Sequence, residues 1–269
     1  MGAKTKIEWA DATWGPIRGC SRVSAGCVHC YAETMAARFS GPGQPYDGLI
    51  RDRKWSGVVR LIPERLEDPI RWQKPRRIFV NSMSDLFHEE LTDATIDRVF
   101  DVMERAPRHT FQVLTKRPHR SLSYTARRYV RGPAHVWIGT SIEDQKACGE
   151  RLESIRDTAA GVRFVSAEPL LGPIDFGFRG GGESVGWVIV GGESGPGARR
   201  CDIRWIDKIV HQCENARIPV FVKQLGANVT IDGRPVKLKH PKGGDGDEWP
   251  EIGEGEEFGW FVRKFPVSR

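Results

Sequence analysis

Long apolar runs are missing from this chain of 269 residues. No segment approaches the roughly 18 consecutive apolar residues that a membrane-spanning helix needs, so the sequence excludes an integral membrane protein and predicts no membrane partner. The opening residues 1–6 also lack the apolar core of a secretory signal peptide. We therefore expect a protein of the cytoplasm.

Signature motifs of the common nucleic-acid-binding modules are absent as well, since no helix-turn-helix, zinc-finger or RNP pattern is found. The formal net charge is nevertheless +6, and nine residues are Trp. Cationic side chains neutralise phosphates and aromatic faces stack on bases, so a nucleic-acid partner is one interpretation. A basic protein with a Trp-rich core is the other. Two basic groups fit either interpretation: Arg51, Arg53 and Lys54, and Arg127, Arg128 and Arg131.

Cysteine is scarce, with six residues in the chain, and half of them are clustered. Without a secretory signal, they indicate a reducing compartment and metal binding rather than disulfides. Cys20, Cys27 and Cys30 follow one another at C-x6-C-x2-C spacing inside the loop 19–31. This clustering predicts a metal site.

The number of clustered cysteines distinguishes between metals. A structural zinc ion takes four nitrogen or sulfur ligands, whereas each iron of a 4Fe–4S cluster needs one ligand from outside the cluster. Three cysteines would hold three irons and leave the fourth open to a small molecule. We therefore expect Cys20, Cys27 and Cys30 to ligate an open-iron 4Fe–4S cluster. The alternatives are a zinc site completed by His29 and cysteines that bind no metal.

The rest of the chain alternates short apolar runs with helical patterns. Its length is sufficient for one large core. Runs rich in β-branched and aromatic residues predict strands at 13–18, 77–81, 110–115, 136–140, 162–166, 187–190 and 219–223. Apolar side chains at helical spacing predict helices at 32–39, 63–72, 92–105, 143–157 and 202–216.

Such alternation, with nearly continuous apolar strands, predicts an α/β fold in which helices cover a parallel sheet. About six or seven mostly parallel strands fit a full or partial (β/α) barrel, and a doubly wound open sheet is the alternative. We assign 1–226 to the barrel domain, which includes the loop 19–31 and an insertion, 40–62. Residues 227–269 then form an irregular C-terminal extension, expected as a lid or a short hairpin.

Polar or charged residues follow almost every predicted strand. In a barrel the carboxyl ends of the strands surround one mouth, and the cysteine loop, which follows the first strand, would open there too. Each residue alone is equally well explained as a helix cap or a surface turn. Their recurrence favours a site, with the members Asn81, Ser82, Ser84, Asp85, Thr115, Lys116, Arg117, Thr140, Ser141, Glu143, Ser166, Glu168, Glu193, Ser194, Lys223 and Gln224.

The cysteine loop after a first strand, the helix behind it and the parallel repeats resemble the radical S-adenosylmethionine (SAM) enzymes. That superfamily carries C-x3-C-x2-C, so the first gap in this chain, six residues, departs from the pattern. The segments NSMSDLFHE at 81–89 and LTKR at 114–117 resemble spore photoproduct lyase and its relatives. Residues 5–33 and 223–226 are similar to a family of phage-encoded and bacterial proteins of unknown function, and this second resemblance covers most of the chain.

The first resemblance implies a reaction and a set of site residues. The loop cysteines would ligate a cluster whose open iron chelates SAM, and an electron from a flavodoxin- or ferredoxin-like donor would cleave SAM to a 5′-deoxyadenosyl radical. Ser84, Lys116 and Ser141 match positions that contact the methionyl and ribose parts of SAM in the lyase-like enzymes. With the strand-end carboxylates, the cofactor-binding candidates are Ser84, Asp85, Lys116, Ser141, Glu168 and Glu193.

Of the remaining cysteines, Cys148 and Cys213 lie on apolar helical faces and are expected in the core. Cys201 is the catalytic candidate, because it follows a Gly- and Arg-rich loop expected at the mouth and a cysteine donates a hydrogen atom in spore photoproduct lyase. An ordinary loop cysteine is the alternative. The function favoured by the sequence is a radical SAM enzyme that acts on DNA or a nucleotide. The alternatives are a zinc-containing, non-catalytic nucleic-acid-binding protein and a radical enzyme for a small molecule or a peptide.

Overall fold

The computed structural model of the protein describes residues 5–178, 184–250 and 263–266. The strands are β1 Ala12–Trp14, β2 Ile17–Arg18, β3 Ile50–Arg51, β4 Lys54–Trp55, β5 Arg60–Leu61, β6 Arg77–Val80, β7 Thr110–Thr115, β8 Val136–Ser141, β9 Val162–Ala167, β10 Trp187–Gly191, β11 Cys201–Asp202, β12 Val220–Gln224, β13 Val229–Ile231 and β14 Arg234–Val236. The α-helices are α1 Tyr31–Ala37, α2 Asp68–Arg71, α3 Asp93–Arg105, α4 Pro118–Arg128, α5 Gln145–Asp157 and α6 Ile203–Asn215. Short 3₁₀ helices lie at Ala25–Cys27, Pro63–Arg65 and Gly246–Glu248.

Seven of the strands form one parallel sheet, in the order β1-β6-β7-β8-β9-β10-β12. Trp14 pairs with Val80, and Val80 pairs with Val113. The order in the sheet follows the order along the chain, so the strand order never reverses. The sheet and the helices between its strands confirm the predicted α/β class and the partial (β/α) barrel. The doubly wound alternative requires a reversal and is wrong.

The central strands are buried because both of their faces carry apolar or small side chains. Every residue of β8 and β10 is buried, which is typical of parallel strands covered on both faces. Six of the predicted strands agree with the observed bounds to within one residue at each end. The prediction of one strand over 13–18 is wrong, because Gly15 and Pro16 separate β1 from β2, and β2 pairs antiparallel with β5. Pro16 has no N–H to donate to a sheet, so β1 ends before it.

Most predicted helices are correct in position and differ only at their ends. Thr92 and Asp202 cap α3 and α6 rather than begin them, since their side-chain oxygens accept from N–H groups of the first turn. The helix expected over 63–72 is wrong, and only a 3₁₀ helix and the four-residue α2 form there. Pro69 explains the break, because it has no N–H for a helix that began earlier. None of the helices in the described part of the chain is long and apolar enough to cross a membrane.

The insertion and the C-terminal extension have structure of their own. Strands β3 and β4 form an antiparallel hairpin, and α1 packs beside it through a small apolar cluster of Ala36, Tyr46 and Leu49. In the extension, β13 and β14 form a short hairpin, and β13 also pairs with β11. Of the extension expected over 227–269, the segments 251–262 and 267–269 lie outside the described residues.

The chain divides into two compact units, which are residues 1–139 with 157–161, and residues 140–156 with 162–269. Trp14 and Phe111 pack together in the core of the first unit, with ring centroids 5.8 Å apart. Trp187 and Phe221 pack in the core of the second, at 6.3 Å. The cysteine loop and the residues that follow β6 and β7 belong to the first unit.

Candidate cofactor site at the cysteine loop

The cysteine loop begins at Gly19, where the backbone turns into the left-handed region. Gly19 has a φ of +92°, and a Cβ atom there would lie 2.1 Å from the carbonyl oxygen of Val58, so only glycine fits. A backbone bridge joins Gly19 to Ser84, and Ser84 Oγ donates to the carbonyl of Ile17 at 3.0 Å. The start of the loop is thereby fixed between the insertion and the residues that follow β6.

The three loop cysteines are free thiols, and each is half-buried. Cys27 ends a 3₁₀ helix, and Cys30 is the N-cap residue of α1. Burial and the nearby charge of Asp85 raise the pKa of the Cys20 thiol to about 12, although the Arg117 guanidinium opposes the shift. Cys20 therefore stays protonated at neutral pH unless a metal displaces its proton.

In the described part of the chain, no three His, Cys, Asp or Glu side chains are arranged to hold a metal ion. The three thiols of the loop suit a cofactor larger than a single metal ion. Three thiols come from one short segment, and each would bind a different iron of a 4Fe–4S cluster. Cations lie near them, since charge interactions couple Arg22 with Cys27 and Cys30, and Arg117 with Cys20. The three thiols are the donor type that such a cluster takes, and its binding here stays a prediction.

An ion pair fastens the loop to the helix that follows it. Arg22 Nε and Nη2 donate to the two carboxylate oxygens of Glu33 at 2.9 and 2.5 Å. Glu33 lies in the first turn of α1 and is 3% exposed, so removal of Arg22 would leave a buried charge uncompensated. The two parallel hydrogen bonds also fix the direction of the Arg22 side chain.

A second arginine, Arg117, contacts the loop from the end of β7. Its Nη2 donates to Ser21 Oγ at 2.7 Å, its Nη1 donates to Asp85 at 3.1 Å, and its Nε donates to Glu89 at 2.7 Å. Burial opposes the charge of Arg117, yet the carboxylates of Asp85 and Glu89 raise its pKa above the ordinary value. Arg117 is therefore a permanent cation that holds Ser21, the residue after Cys20, in place.

His88 supports the same serine as a neutral imidazole. The N–H of Glu90 donates to His88 Nδ1 at 3.2 Å, so the proton lies on Nε2, which donates to Ser21 Oγ at 2.8 Å. Burial and the charge of Arg117 lower the pKa of His88, which keeps the ring neutral. Ser21 Oγ thus accepts two hydrogen bonds, one from the residues after β6 and one from those after β7.

Asp85, a predicted cofactor-binding residue, is 5% exposed and bonded to the chain on both oxygens. Its Oδ1 accepts from Thr115 Oγ1 at 2.7 Å and from the N–H of Phe87 at 3.0 Å. Its Oδ2 accepts from the N–H of Lys116 at 3.0 Å and from Arg117. The carboxylate therefore ties the residues after β6 to those after β7. A direct contact of Asp85 with a cofactor stays a prediction.

A model of the family described as "Protein of unknown function (DUF5131)" matches residues 4–252 of the chain. The chain belongs to this family. The match covers the cysteine loop and all seven strands of the central sheet, so the DUF5131 region extends over both compact units. No curated protein and no solved structure matches the chain.

The other cofactor-binding candidates lie in the second unit, each at the carboxyl end of its own strand. The carbonyl of Ser141, the last residue of β8, accepts from Arg151 Nη1 at 2.7 Å. Glu168, which follows β9, accepts from Lys223 Nζ at 2.5 Å and from Gln224 Nε2 at 3.3 Å. An ion pair therefore already compensates the carboxylate of Glu168.

Glu193, which follows β10, is also paired within the second unit. It is 5% exposed. Arg199 donates to it from Nε at 3.0 Å, from Nη2 at 2.5 Å and from its backbone N–H at 2.8 Å. Arg199 is thus engaged with a carboxylate of its own chain. A role of Glu193 in cofactor binding stays a prediction.

The prediction that Cys201 lies on an open loop is wrong. Cys201 is the first residue of β11 and is 1% exposed. Burial raises the pKa of its thiol to about 12. The catalytic role of Cys201 stays a prediction. Its thiol has almost no access to solvent. Cys148 and Cys213 are buried on α5 and α6, which confirms their predicted place in the core.

Of the residues that hold the loop in place, the sequence patterns put Arg117 in the predicted site and assign no role to Ser21, Arg22, Glu33, His88 and Glu89. A usable signal is present for some of them. Asp85 and Glu89 follow one strand, and Arg117 follows the next strand of the sheet. Because the carboxyl ends of neighbouring parallel strands lie side by side, these opposite charges are expected to pair.

Two of the three arginines in one basic group pair with acidic residues of the same unit. Arg127 Nη1 contacts Asp93 at 2.5 Å, and Arg128 contacts Asp97 at 2.8 Å and Asp101 at 2.6 Å. These ion pairs join α4 to α3. Arg127 and Arg128 are therefore paired within the fold, and a nucleic-acid partner stays a prediction.

Proposed function

We propose that this protein is a radical SAM enzyme that binds a 4Fe–4S cluster through Cys20, Cys27 and Cys30. The observation that carries the proposal is the loop itself, in which three half-buried thiols lie on a short segment that Arg22 joins to Glu33 and Arg117 joins through Ser21. A group that is bound at three points needs ligands whose positions are held by surrounding residues, and Arg22 and Arg117 supply that support.

Cys20, Cys27 and Cys30 would hold such a cluster, which would offer an open iron to SAM and the electron for its reductive cleavage. The residues of the chain orient the cysteine ligands and bear on the charge that ligation brings. Thiolate ligation brings negative charge to the loop, and at Cys20 the Arg117 guanidinium opposes part of its cost while the Asp85 carboxylate adds to it. Because the thiol of Cys20 has a raised pKa, its ligation must release a proton, so assembly is favoured at higher pH.

Ser84 and Lys116 support the binding of SAM itself. The hydroxyl of Ser84 donates to the carbonyl of Ile17, so its lone pairs can accept from the ammonium group of SAM. Lys116 is half-buried directly after β7, and its ammonium group suits the carboxylate of SAM. Asp85 orients the Lys116 backbone by accepting from its N–H. Contacts of Ser141, Glu168 and Glu193 with a cofactor stay predictions.

We propose DNA or a nucleotide as the substrate, because the net charge of +6 suits a polyanion. The cytoplasm is the compartment that we propose, since its reducing conditions keep the cysteines free. The radical alternatives with a small molecule or a peptide as substrate share the same cofactor site, so the cluster can be tested before the substrate is known.

Anaerobic reconstitution with iron and sulfide tests the proposal. We expect the wild type to bind about four irons per chain and Cys27→Ala to lose most of them. Cys148→Ala is the matched control, because Cys148 is buried on α5 and distant in sequence from the loop; it is expected to bind iron as the wild type does. Equal iron in the wild type and Cys27→Ala would overturn the proposal. One zinc per chain and no iron would favour a zinc-containing nucleic-acid-binding protein.

A further inference from the structure

The turn of the β3–β4 hairpin carries an arginine where its backbone favours glycine. Two residues, Asp52 and Arg53, connect the strands, and their φ angles are +49° and +60°. A two-residue hairpin turn in which both φ angles are positive is typically Asn-Gly or Asp-Gly, because glycine adopts this backbone freely. Arg53 therefore holds a strained conformation, and it does so at an exposed turn.

The β13–β14 hairpin of the same chain has the favoured residue at the equivalent position. Its turn consists of Asp232 and Gly233, with φ angles of +49° and +77°. Both turns thus begin with an aspartate at the same φ and differ in the residue that follows. Since glycine completes such a turn with less strain, the turn itself does not require Arg53.

Two like charges face each other directly beside the turn. Arg51 and Lys54 are opposite residues of the antiparallel pair β3–β4, so their side chains lie close together on one face of the hairpin. Like charges at such a position destabilise a sheet. The hairpin therefore contains two unfavourable features within four residues, and both of them involve cations.

Packing on the opposite face of the hairpin fixes where these cations lie. Ile50 and Trp55 form the next pair of opposite residues, and both pack against the small apolar cluster around Leu49. Successive side chains of a strand point to opposite faces, so Arg51 and Lys54 point away from that cluster, and both are exposed.

The charges of Arg51, Arg53 and Lys54 are not compensated by the described part of the chain, where no ion pair or side-chain hydrogen bond involves them. Asp52 lies between them and pairs with none of them in those residues. Arg127 and Arg128 differ, because acidic residues bind both. An anion bound at the turn would relieve the repulsion between Arg51 and Lys54.

We propose that residues 51–54, which we call the cationic turn, bind the phosphate backbone of a nucleic acid. The inference rests on the nucleic-acid substrate of the proposed function and does not depend on the cluster. Three cations in four residues can neutralise neighbouring phosphates and release their counterions. Arginine donors form paired hydrogen bonds with phosphate oxygens, and a two-stranded β-ribbon fits into the major groove of a duplex.

The composition of the cationic turn favours a nucleic acid over an acidic protein. None of its four residues is apolar or aromatic, whereas the centre of a protein interface is built from such side chains. Contacts with phosphates need only cations and hydrogen-bond donors, and they carry no sequence information. We therefore expect the cationic turn to bind nucleic acids of different sequence about equally well.

Fluorescence anisotropy of a labelled DNA duplex, titrated with the purified full-length protein at several salt concentrations, measures the contact without catalysis. The logarithm of the affinity should fall linearly with the logarithm of the salt concentration. Arg53→Gly is expected to weaken binding and to reduce this slope by about one. The double variant Arg51→Gln with Lys54→Gln is expected to reduce it by about two.

The stability of Arg53→Gly separates loss of binding from loss of structure. Because glycine suits the positive φ of this position, the urea midpoint of the variant should equal or exceed that of the wild type. Arg234→Gln is the matched control for net charge, since it removes one exposed positive charge directly after the turn of the other hairpin. Its slope should equal that of the wild type.

Unchanged slopes in Arg53→Gly and in the double variant would overturn the inference. So would polyglutamate that displaces the labelled DNA as well as unlabelled DNA does at equal charge, because the cationic turn would then recognise charge alone. Iron content and SAM cleavage under dithionite, measured on the same proteins after reconstitution, separate this result from the proposed function. Reduced slopes in a protein that binds no iron would contradict the enzyme and support the cationic turn. Normal SAM cleavage with unchanged slopes would contradict the cationic turn alone.

Discussion

Arg117 Nη2 and Ser21 Oγ lie 2.7 Å apart, although 96 residues separate them in sequence. The contact joins the end of β7 to the residue after the first cysteine of the loop. Arg117 also binds Asp85, which accepts from the backbone after β7, so one buried cation connects two strand ends and the cysteine loop. The arrangement of the thiols therefore depends on a side chain that is distant from all of them in sequence.

Replacement of Arg117 by Met is expected to destabilise the protein. The change leaves the buried carboxylate of Asp85 without its cation, which costs about 3–5 kcal/mol. Urea unfolding of the metal-free protein measures the loss. The control is Arg105→Met, which breaks an exposed pair with Glu67 and should cost less than about 1 kcal/mol. Similar losses in the two variants would show that Arg117 does not anchor the loop.

Gly19→Ala should be much more damaging than Gly43→Ala. Both glycines have positive φ, at +92° and +72°, so each substitution costs about 1–2 kcal/mol of stability for the left-handed backbone. Only the methyl group introduced at position 19 would meet backbone atoms, because nothing lies within 4 Å of a Cβ atom at Gly43. We expect the free energy of unfolding to fall by at least about 2 kcal/mol more for Gly19→Ala. Equal values would contradict the close contact with Val58.

The stability of the protein should depend on His88 below neutral pH. Because the pKa of His88 is lowered in the folded state, the unfolded chain binds the proton first as pH falls through about 6.5. The contribution of the neutral ring is therefore complete above that pH and is lost as pH falls toward the folded pKa. His88→Gln keeps an N–H donor and cannot titrate.

Urea midpoints at several pH values between about 7.5 and 5 measure this effect. The wild type should lose more stability over that interval than His88→Gln does. His109, whose pKa is also lowered by burial, is present in both proteins and cancels in the comparison. Parallel curves for the two proteins would rule out the neutral His88 as a contributor.

Cys201→Ala should leave the iron content unchanged. Cys201 is buried in β11, and its truncation is expected to cost about 1 kcal/mol of stability. Release of 5′-deoxyadenosine from SAM should continue, because that step precedes any transfer of hydrogen to a product. Iron analysis and chromatography of the nucleoside check both expectations. Loss of iron in Cys201→Ala would mean that this cysteine supports the cluster.

The strands of the central sheet could be predicted from sequence because each is a short, continuous apolar run with turns around it. Helix α4 could not, because its buried side carries Pro118, Ser121, Tyr124 and Thr125, and a single large apolar side chain produces no visible period. The predicted helix over 63–72 failed for the opposite reason, since its apolar spacing is helical but Pro69 interrupts the hydrogen bonds.

The cysteines of the site could be predicted from their spacing, whereas the residues that hold them could not. Ser21 and Arg117 meet only because β1, β6 and β7 are neighbours in the sheet. Cys201 was misplaced because the Gly- and Arg-rich segment before it reads as a loop, and β11 is a two-residue strand that depends on β13, further along the chain. Pairing between distant segments is not encoded in local propensity.

The most direct test of the central claim is electron paramagnetic resonance of the anaerobically reconstituted and reduced protein, recorded with and without SAM. A radical SAM enzyme should contain about four irons per chain and give a signal that changes when SAM is added, with Cys27→Ala silent. A cluster signal that ignores SAM would contradict the open iron, and a protein that binds no iron would contradict the cluster itself.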